Sequence, residues 1–431
     1  MSETTETTDG KARTDWEALL SFLPPDFREL AHTYAQLEVK FGNAKITKAE
    51  QLLQLIFLHV GANLPLRQAV TLVGKAGGPN VSHVTLHQKM RLASPYLQAL
   101  VNKMSAASRL GTPELWSGYE VVAIDATAGS SPGSTGTDVR VHTAIRISDL
   151  SVLHAEVSGV SGGETLKRFP LQPGQLALAD RGYANGPGIA WAVRKGAAVM
   201  VRVNRGSLPL YEANATLIDV MERLRSLKKR RVEEWAAEVH TELEAEPMVI
   251  KGRLIAVRLP KDEAEEARQR VRKEYGKKAT ADMLEAAGYV ILFTTVPAER
   301  MTGAHCIALY RLRWQVELLF KRWKSICGLD HLPNEIEGTV LSWVLGKILL
   351  ALILDRMGSA GTELFPPKPA AERKHRRRRG DRPGAADPAD QQAPPICASA
   401  VDGHHHPLAS YPQCHPPDEP PRDHPAPPRD R

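Results

Sequence analysis

The segment YEVVAID (residues 119–125) is a short apolar run that ends on a carboxylate. Three β-branched residues in its middle are typical of a buried strand. Residues 126–136 are rich in Gly, Ser and Thr, which predicts a loop directly after the acid. Asp125 is therefore expected at the tip of a strand, where open α/β sheets place their chemistry.

The following segments predict the rest of a mixed sheet. Further strands are expected at 139–147, 152–157, 176–180 and 198–203, with short helices at 165–169 and 188–195. The strand at 176–180 also ends on an acid, Asp180, followed by Arg181-Gly182-Tyr183. This order of elements predicts an α/β fold and suits a ribonuclease-H-like core.

The stretch LYRLRWQVELLFKRWKS (residues 309–325) has the pattern of an amphipathic helix. At about 100° per residue, four residues form a polar front within roughly 60° of arc: Tyr310, Arg313, Glu317 and Lys324. The apolar back consists of Leu309, Leu312, Val316, Leu319, Trp323 and Ile326. The alternative for an ordinary surface helix is a solvated ion pair between Glu317 and Lys321.

Asp125, Asp180 and Glu317 are three carboxylates that a fold of this kind can bring together. Carboxylates and water are the ligands that a hard ion such as Mg²⁺ prefers. Three such acids meeting at one point therefore predict a site for a divalent metal.

The spacing Tyr, two residues, Arg, three, Glu, six, Lys, together with Asp-Arg-Gly-Tyr at Asp180, resembles bacterial DDE transposases of the insertion sequence four family. The similarity runs from about Asp15 to about Arg356. The resemblance implies a catalytic, metal-binding triad of Asp125, Asp180 and Glu317, with Tyr310, Arg313 and Lys324 on the DNA backbone. It further implies hydrolysis that frees a 3′ hydroxyl, then transesterification into target DNA, and for some members a hairpinned end. For this chemistry we expect two Mg²⁺ ions roughly 4 Å apart, with Mn²⁺ as a substitute, to activate the attacking oxygen and stabilise the leaving oxygen.

The resemblance also implies a ribonuclease-H-like core interrupted by a β-rich insertion. We expect disorder at 1–14, a helical DNA-binding domain at 15–112, core at 113–205, the β-rich insertion at 206–297, core helices at 298–357 and disorder at 358–431. The insertion is too long for a simple loop and shows strand patterns at 231–240, 248–259 and 289–295, with a charged helix at 262–275. Its basic cluster at 223–231 either lies along phosphates or, as is commoner, forms a solvated face.

The helical patterns of the N-terminal domain lie at 48–59, 66–73 and 82–92. The last follows a Gly77-Gly78-Pro79 break, and Ser82 is suited to cap it. Two helices around a Gly turn predict a helix-turn-helix with DNA-facing candidates Ser82, His83, Thr85, Gln88 and Lys89. An ordinary helical hairpin is the alternative.

Composition points to a polyanionic partner and a reducing compartment. The net charge of +7 and pI near 9.1 favour DNA and predict salt-dependent binding. The apolar segment 340–354 contains Lys347 and is too short to span a bilayer, so we expect a buried helix and no membrane. The four cysteines have no metal-ligand spacing, and we expect the bacterial cytoplasm, close to the nucleoid.

The sequence from Gly358 onward differs in kind from the rest. Pro, Arg, Asp, His and Ala dominate, and residues 374–379 form a block of positive charge, which predicts disorder. Family members usually continue with further helices here, so we hypothesise a frameshift in a GC-rich gene. Such a change would affect the pairing of two element ends.

Three functions fit these observations. The first is an active transposase that works as a homodimer on double-stranded DNA, binding terminal inverted repeats and target DNA. The second is a catalytically weak remnant with an altered C-terminus that binds element ends, and the third is a transcriptional regulator that uses the N-terminal helices. The three acids favour the first over the third, because a regulator has no need of carboxylates facing phosphate.

Overall fold

The computed structural model describes residues 15–37, 46–108, 115–134, 136–159, 161–203, 206–227, 231–329, 332–333 and 336–364. The expectations of disorder for residues 1–14 and 365–431 lie outside this part of the chain. The helices are α1 (Asp15–Leu20), α2 (Phe27–Tyr34), α3 (Ala49–Val60), α4 (Leu66–Lys75), α5 (His83–Ala107), α6 (Gly186–Arg194), α7 (Val220–Ser226), α8 (Lys261–Tyr275), α9 (Ala281–Ala286), α10 (Gly303–Tyr310), α11 (Gln315–Ser325) and α12 (Glu337–Leu364). The strands are β1 (Glu120–Gly129), β2 (Val139–Arg146), β3 (Val152–Ser158), β4 (Gln175–Ala179), β5 (Ala198–Arg202), β6 (Glu233–Leu243), β7 (Glu246–Arg258) and β8 (Tyr289–Thr294).

All eight strands join one mixed sheet in the order β3-β2-β1-β4-β5-β8-β7-β6. Strand β4 runs parallel to both β1 and β5, and the other neighbouring strands are antiparallel. The predicted α/β class and mixed sheet are confirmed.

The strands predicted for the insertion continue the same sheet. Strand β8 pairs with β5 through Met200 and Thr294, and the hairpin β6–β7 pairs onward from β8. The charged helix predicted at 262–275 is α8. Pairing with β8 gives the outer edge of β5 a partner, and an unpaired edge would leave its N–H and C=O groups available to other chains.

Helices cover both faces of the sheet. Residues of α3, α5, α11 and α12 form one core with β1, β2 and β3, and α10 packs beside them against β4 and β5. On the opposite face, α6 and α7 pack over the central and insertion strands. The N-terminal helices therefore share a continuous apolar core with the sheet.

Helix α5 begins as expected, with the Ser82 hydroxyl accepting the Thr85 N–H at 3.1 Å, but it is more than twice as long as predicted. Two of the DNA-facing candidates were assigned wrongly, since Thr85 is 5% and Lys89 2% exposed. The Lys89 ammonium donates to the carbonyls of Gln36 and Leu37 at 2.8 and 3.1 Å. Both side chains lie on the inward face of α5, and the two carbonyls accept hydrogen bonds from the buried Lys89 ammonium.

Helix α12 confirms the buried helix predicted at 340–354. By length and composition it is the one helix in the described ranges that could cross a membrane, but 72% of its apolar window is buried within the protein. Lys347 is 3% exposed and donates to Asn63 Oδ1 and to the Cys327 carbonyl at 3.0 and 2.6 Å, which explains a lysine in an apolar run. The helix continues from Gly358 to Leu364, so the tail was predicted to begin too early.

Candidate active site

Asp125 and Asp180 occupy equivalent positions on neighbouring strands. The parallel ladder between β1 and β4 ends at the pair Ile124 and Ala179, and the two acids come next. Ile124 and Ala179 both belong to the core beneath α6, so the alternation of strands directs the next side chains to the opposite face. The two acids therefore follow paired residues of neighbouring strands, which lie about 4.8 Å apart.

The predicted end of the first strand was wrong in one respect. Strand β1 does not stop at Asp125 but continues to Gly129 while still paired with β2. The pairing of β1 with β4, by contrast, ends at Ile124, just before Asp125. Asp125 is thus held firmly within a strand while its other flank opens toward Asp180.

The single helix predicted over 309–325 is interrupted. Helix α10 ends at Tyr310, a 3₁₀ turn spans Arg311–Trp314, and α11 starts at Gln315. The Tyr310 hydroxyl donates to the Ala179 carbonyl at 3.1 Å, which ties this turn to the end of β4 beside Asp180. Burial raises the pKa of Tyr310, so its hydroxyl remains a protonated donor.

Arg313 joins two of the three acids. Its Nη1 donates to Asp125 Oδ2 at 2.8 Å and its Nη2 donates to Glu317 Oε1 at 2.7 Å. Arg313 is 13% exposed, against 18% for Asp125 and 48% for Glu317. Burial opposes the charge of Arg313, but the surrounding groups, Tyr310, Asp180, Asp125 and Glu317, raise its pKa further above the ordinary value.

Several groups influence the charge of Asp125. Burial raises the pKa of Asp125 to about 6, while Arg313 and a 2.8 Å hydrogen bond from the Ala126 N–H act to lower it. Repulsion from Asp180 and Glu317 raises it as well. The three carboxylates therefore share one electrostatic environment that favours a cation.

Arg313 supplies that cation here. No group of three His, Cys, Asp or Glu side chains is arranged around a metal position in the described part of the chain. The Arg313 guanidinium bonds both Asp125 and Glu317. Carboxylate oxygens are the donors that a hard divalent ion prefers, so the donor set fits such an ion once Arg313 withdraws. Cys306 and Cys327 are free thiols, and the other two cysteines lie outside the described residues.

The solvated pair between Glu317 and Lys321 is not formed, since Arg313 takes its place four residues before the acid. The contact between Arg313 and Glu317 could have been predicted from the sequence, because residues four apart on a helix are neighbours. The bond from Arg313 to Asp125, 188 residues earlier, carried no local signal.

The apolar back of α11 is mostly as predicted. Val316 and Trp323 are buried, but Ile326 is 76% exposed and was assigned to the back wrongly. Ile326 lies just after the last residue of α11, whereas Phe320, four residues after Val316 and on the same side of the helix, is buried. Lys324 is half-buried and forms no ion pair with any described residue.

The basic cluster at 223–231 is paired with acids where it is described. Arg223 bonds Glu212 at 2.6 Å, Arg225 bonds Glu285 at 2.8 Å, and Arg231 lies 3.4 Å from Glu233. Residues 228–230 lie outside the described part. These pairs favour the solvated face over a phosphate contact.

Comparison with known proteins identifies the family of the chain. The transposase DDE domain family matches residues 116–353, more than half of the 431-residue chain and a range that contains all three acids. The InsL protein of insertion sequence element IS186A from Escherichia coli K12 is 27% identical over 367 residues, covering 84% of this chain and 98% of that protein. The transposase of insertion sequence element IS421 from Escherichia coli is 27% identical over 368 residues with the same coverage.

A second group of relatives matches a smaller part of the chain. The transposase of insertion sequence element IS231F from Bacillus thuringiensis subsp. israelensis is 24% identical over 200 residues, covering 42% of this chain and 40% of that protein. The predicted family is confirmed: the chain belongs to the insertion-sequence DDE transposases, enzymes of DNA transposition that depend on a divalent metal.

Proposed function

We propose that Asp125, Asp180 and Glu317 hold the divalent metal and that strand cleavage and joining at element ends take place over them. One observation carries this proposal: Arg313 bonds Asp125 on β1 and Glu317 on α11, and Asp180 follows Ala179, the β4 residue paired with the residue before Asp125. A cluster of this charge needs a cation, and a divalent ion meets that need better than a side chain when phosphate is also present.

The proposed fold of the catalytic part is ribonuclease-H-like. The order β3-β2-β1-β4-β5, with three antiparallel strands followed by two parallel ones, supports it. We assign 113–205 and 298–357 to this core and 206–297 to the insertion that extends its sheet. We assign DNA binding to the helical region 15–112, where Ser82, His83 and Gln88 keep some exposure at the start of α5.

The proposed chemistry has two balanced steps. Water attacks the phosphodiester at the element end, the bond to the 3′ oxygen breaks, and a free 3′ hydroxyl results. That hydroxyl then attacks a phosphodiester of target DNA, so one ester bond forms as another breaks and no covalent bond to protein is needed. When bound, two Mg²⁺ ions would activate the attacking oxygen and stabilise the leaving one, and Mn²⁺ would serve as a substitute.

The residues around the acids have separate roles. Asp125, which Arg313 bonds in this structure, would hold the metal together with Asp180 and Glu317. The Arg313 guanidinium can donate two parallel hydrogen bonds to a phosphate group. It would release Asp125 and bind the DNA backbone. Lys324 offers a point charge to the same backbone, and Tyr310 donates either to Ala179 or to a phosphate oxygen.

The proposed partners are the terminal inverted repeats and target DNA, bound by a homodimer close to the nucleoid. A labelled duplex carrying the element end, incubated with protein and Mg²⁺, tests the assignment. We expect nicking and strand transfer from the wild type. Asp125→Asn, Asp180→Asn and Glu317→Gln should each abolish nicking while end binding persists.

A matched control is Glu274→Gln, which removes an exposed carboxylate from α8 and should nick normally. Nicking at the wild-type rate by any of the three acid variants would refute the triad. Binding without nicking by the wild type would favour the remnant, and hairpinned products would establish that intermediate.

A further inference from the structure

Thr143 lies directly opposite Asp125 in the sheet. The antiparallel ladder between β1 and β2 pairs the two residues, with Ile124 facing Ala144 and Ala126 facing His142 on either side. Residues opposed in this way point to the same face, with Cβ atoms about 4.5–5.5 Å apart. The Thr143 side chain is therefore the cross-strand neighbour of the central acid.

The Thr143 hydroxyl is buried without a partner. Thr143 has no exposed surface, and its Oγ1 has no hydrogen-bond partner among the described residues. The residues two before and two after it on the same face, Val141 and Ile145, are buried and apolar. A valine would fill this position equally well, and an unsatisfied buried hydroxyl costs about 1–3 kcal/mol, so its presence calls for a role.

The hydrogen bonds of Asp125 suggest that role. Its Oδ1 accepts the Ala126 N–H and its Oδ2 accepts Arg313. When Arg313 turns to phosphate, as the proposed function requires, Oδ2 loses that donor. A neighbouring hydroxyl then becomes a replacement that needs only rotation of one side chain.

We infer that Thr143 is a positioning residue for Asp125. Its hydroxyl donates to Asp125 Oδ2 in the metal-loaded state and fixes the carboxylate in the orientation that binds the ion. Partners that orient metal-binding carboxylates typically change metal affinity by about 10- to 100-fold when they are removed. This inference rests on the proposed role of Asp125 as a metal ligand.

The test is a calorimetric titration of Mn²⁺ into full-length protein bound to a duplex of the element's terminal repeat. Thr143→Val keeps the shape of the side chain and removes only the hydroxyl. We expect its Mn²⁺ affinity to fall by about 10- to 100-fold, while its melting temperature without metal is unchanged or higher. Thr143→Ser keeps a hydroxyl and should retain most of the affinity.

Thr294→Val is the matched control. Thr294 is equally buried, but its hydroxyl donates to the Val199 carbonyl at 2.8 Å and accepts the Val296 N–H at 3.2 Å. This variant should lose thermal stability and keep its Mn²⁺ affinity. Wild-type affinity in Thr143→Val, or an equal loss in Thr143→Ser, would overturn the inference.

Asp125→Asn in the same titration distinguishes failure of the proposed metal site from failure of the proposed role of Thr143. If Asp125→Asn binds Mn²⁺ normally, the proposed function itself fails. If Asp125→Asn loses Mn²⁺ while Thr143→Val does not, only the role of Thr143 fails.

Discussion

Arg313 donates to Asp125 Oδ2 at 2.8 Å, which joins the turn before α11 to the interior of β1. The same guanidinium donates to Glu317, so one side chain bonds two of the three acids. A DNA phosphate is a competing partner for Arg313 because a guanidinium binds carboxylate and phosphate with the same planar fork. The proposed function therefore links the binding of DNA phosphate by Arg313 to the release of Asp125 and Glu317 for metal.

Replacing Arg313 should make the protein less stable and more responsive to metal. Arg313→Met keeps much of the length and removes the charge. Breaking a buried ion pair costs about 3–5 kcal/mol, and because Glu317 is half-exposed we expect about 2 kcal/mol here. Without DNA, Mn²⁺ should raise the melting temperature of Arg313→Met more than that of the wild type, as measured by thermal unfolding. An equal metal-dependent shift in both proteins would contradict the linkage.

Stability should depend on pH through Asp125. The pKa of this carboxyl is about 6 in the folded protein, against an ordinary value of 3.8. A raised folded-state pKa means that the folded protein binds the proton more tightly, so the contribution is fully present below pH 3.8 and is lost as pH rises through about 6. Urea unfolding between pH 4 and pH 7 should show the wild type losing up to about 3 kcal/mol relative to Asp125→Asn.

Metal binding should follow the opposite trend. The ion requires the ionised carboxylate, so Mn²⁺ affinity should rise as pH passes about 6. Parallel stability curves for the wild type and Asp125→Asn would show that Asp125 does not titrate in this range.

Two substitutions on α5 should affect protein stability and DNA binding separately. Lys89 is buried against two carbonyls, whereas Gln88, its neighbour on α5, is partly exposed. Lys89→Met should lower the free energy of unfolding by about 2 kcal/mol because hydrogen bonds from a charged group are lost. Gln88→Ala should leave the melting temperature unchanged and weaken binding to the element end in a gel-shift titration. If Gln88→Ala binds normally, the start of α5 does not contact DNA.

Local patterns were sufficient to predict most of the sheet. The alternation in β2 and the apolar runs of β1 and β4 are one-dimensional signals, and each was found within a few residues. The motif around Glu317 and the acid after β4 likewise depend on spacing alone. The resemblance to the family grouped the three acids, and the structure joins two of them, Asp125 and Glu317, through Arg313.

Other features depend on contacts between distant residues. The 3₁₀ turn before α11 ties Tyr310 to Ala179, and no periodicity encodes that bond. Lys89 was predicted to face DNA because its partners, the carbonyls of Gln36 and Leu37, are distant in the sequence. The Gly-, Ser- and Thr-rich residues after Asp125 predicted a loop. Pairing with β2 instead continues β1 as far as Gly129.

Lys324 should contribute to DNA affinity without regard to sequence. It forms no ion pair with a described residue, so its charge is available to a phosphate group. Lys324→Gln should weaken binding to specific and unrelated duplexes alike and reduce the slope of log affinity against log salt by about 1. Arg322→Gln removes the same charge from the other side of α11, roughly 200° away around the axis, and serves as the control. Fluorescence anisotropy at several salt concentrations measures both slopes. Because the two variants have the same net charge, an equal change in slope would mean that Lys324 acts through overall charge and not through a contact of its own.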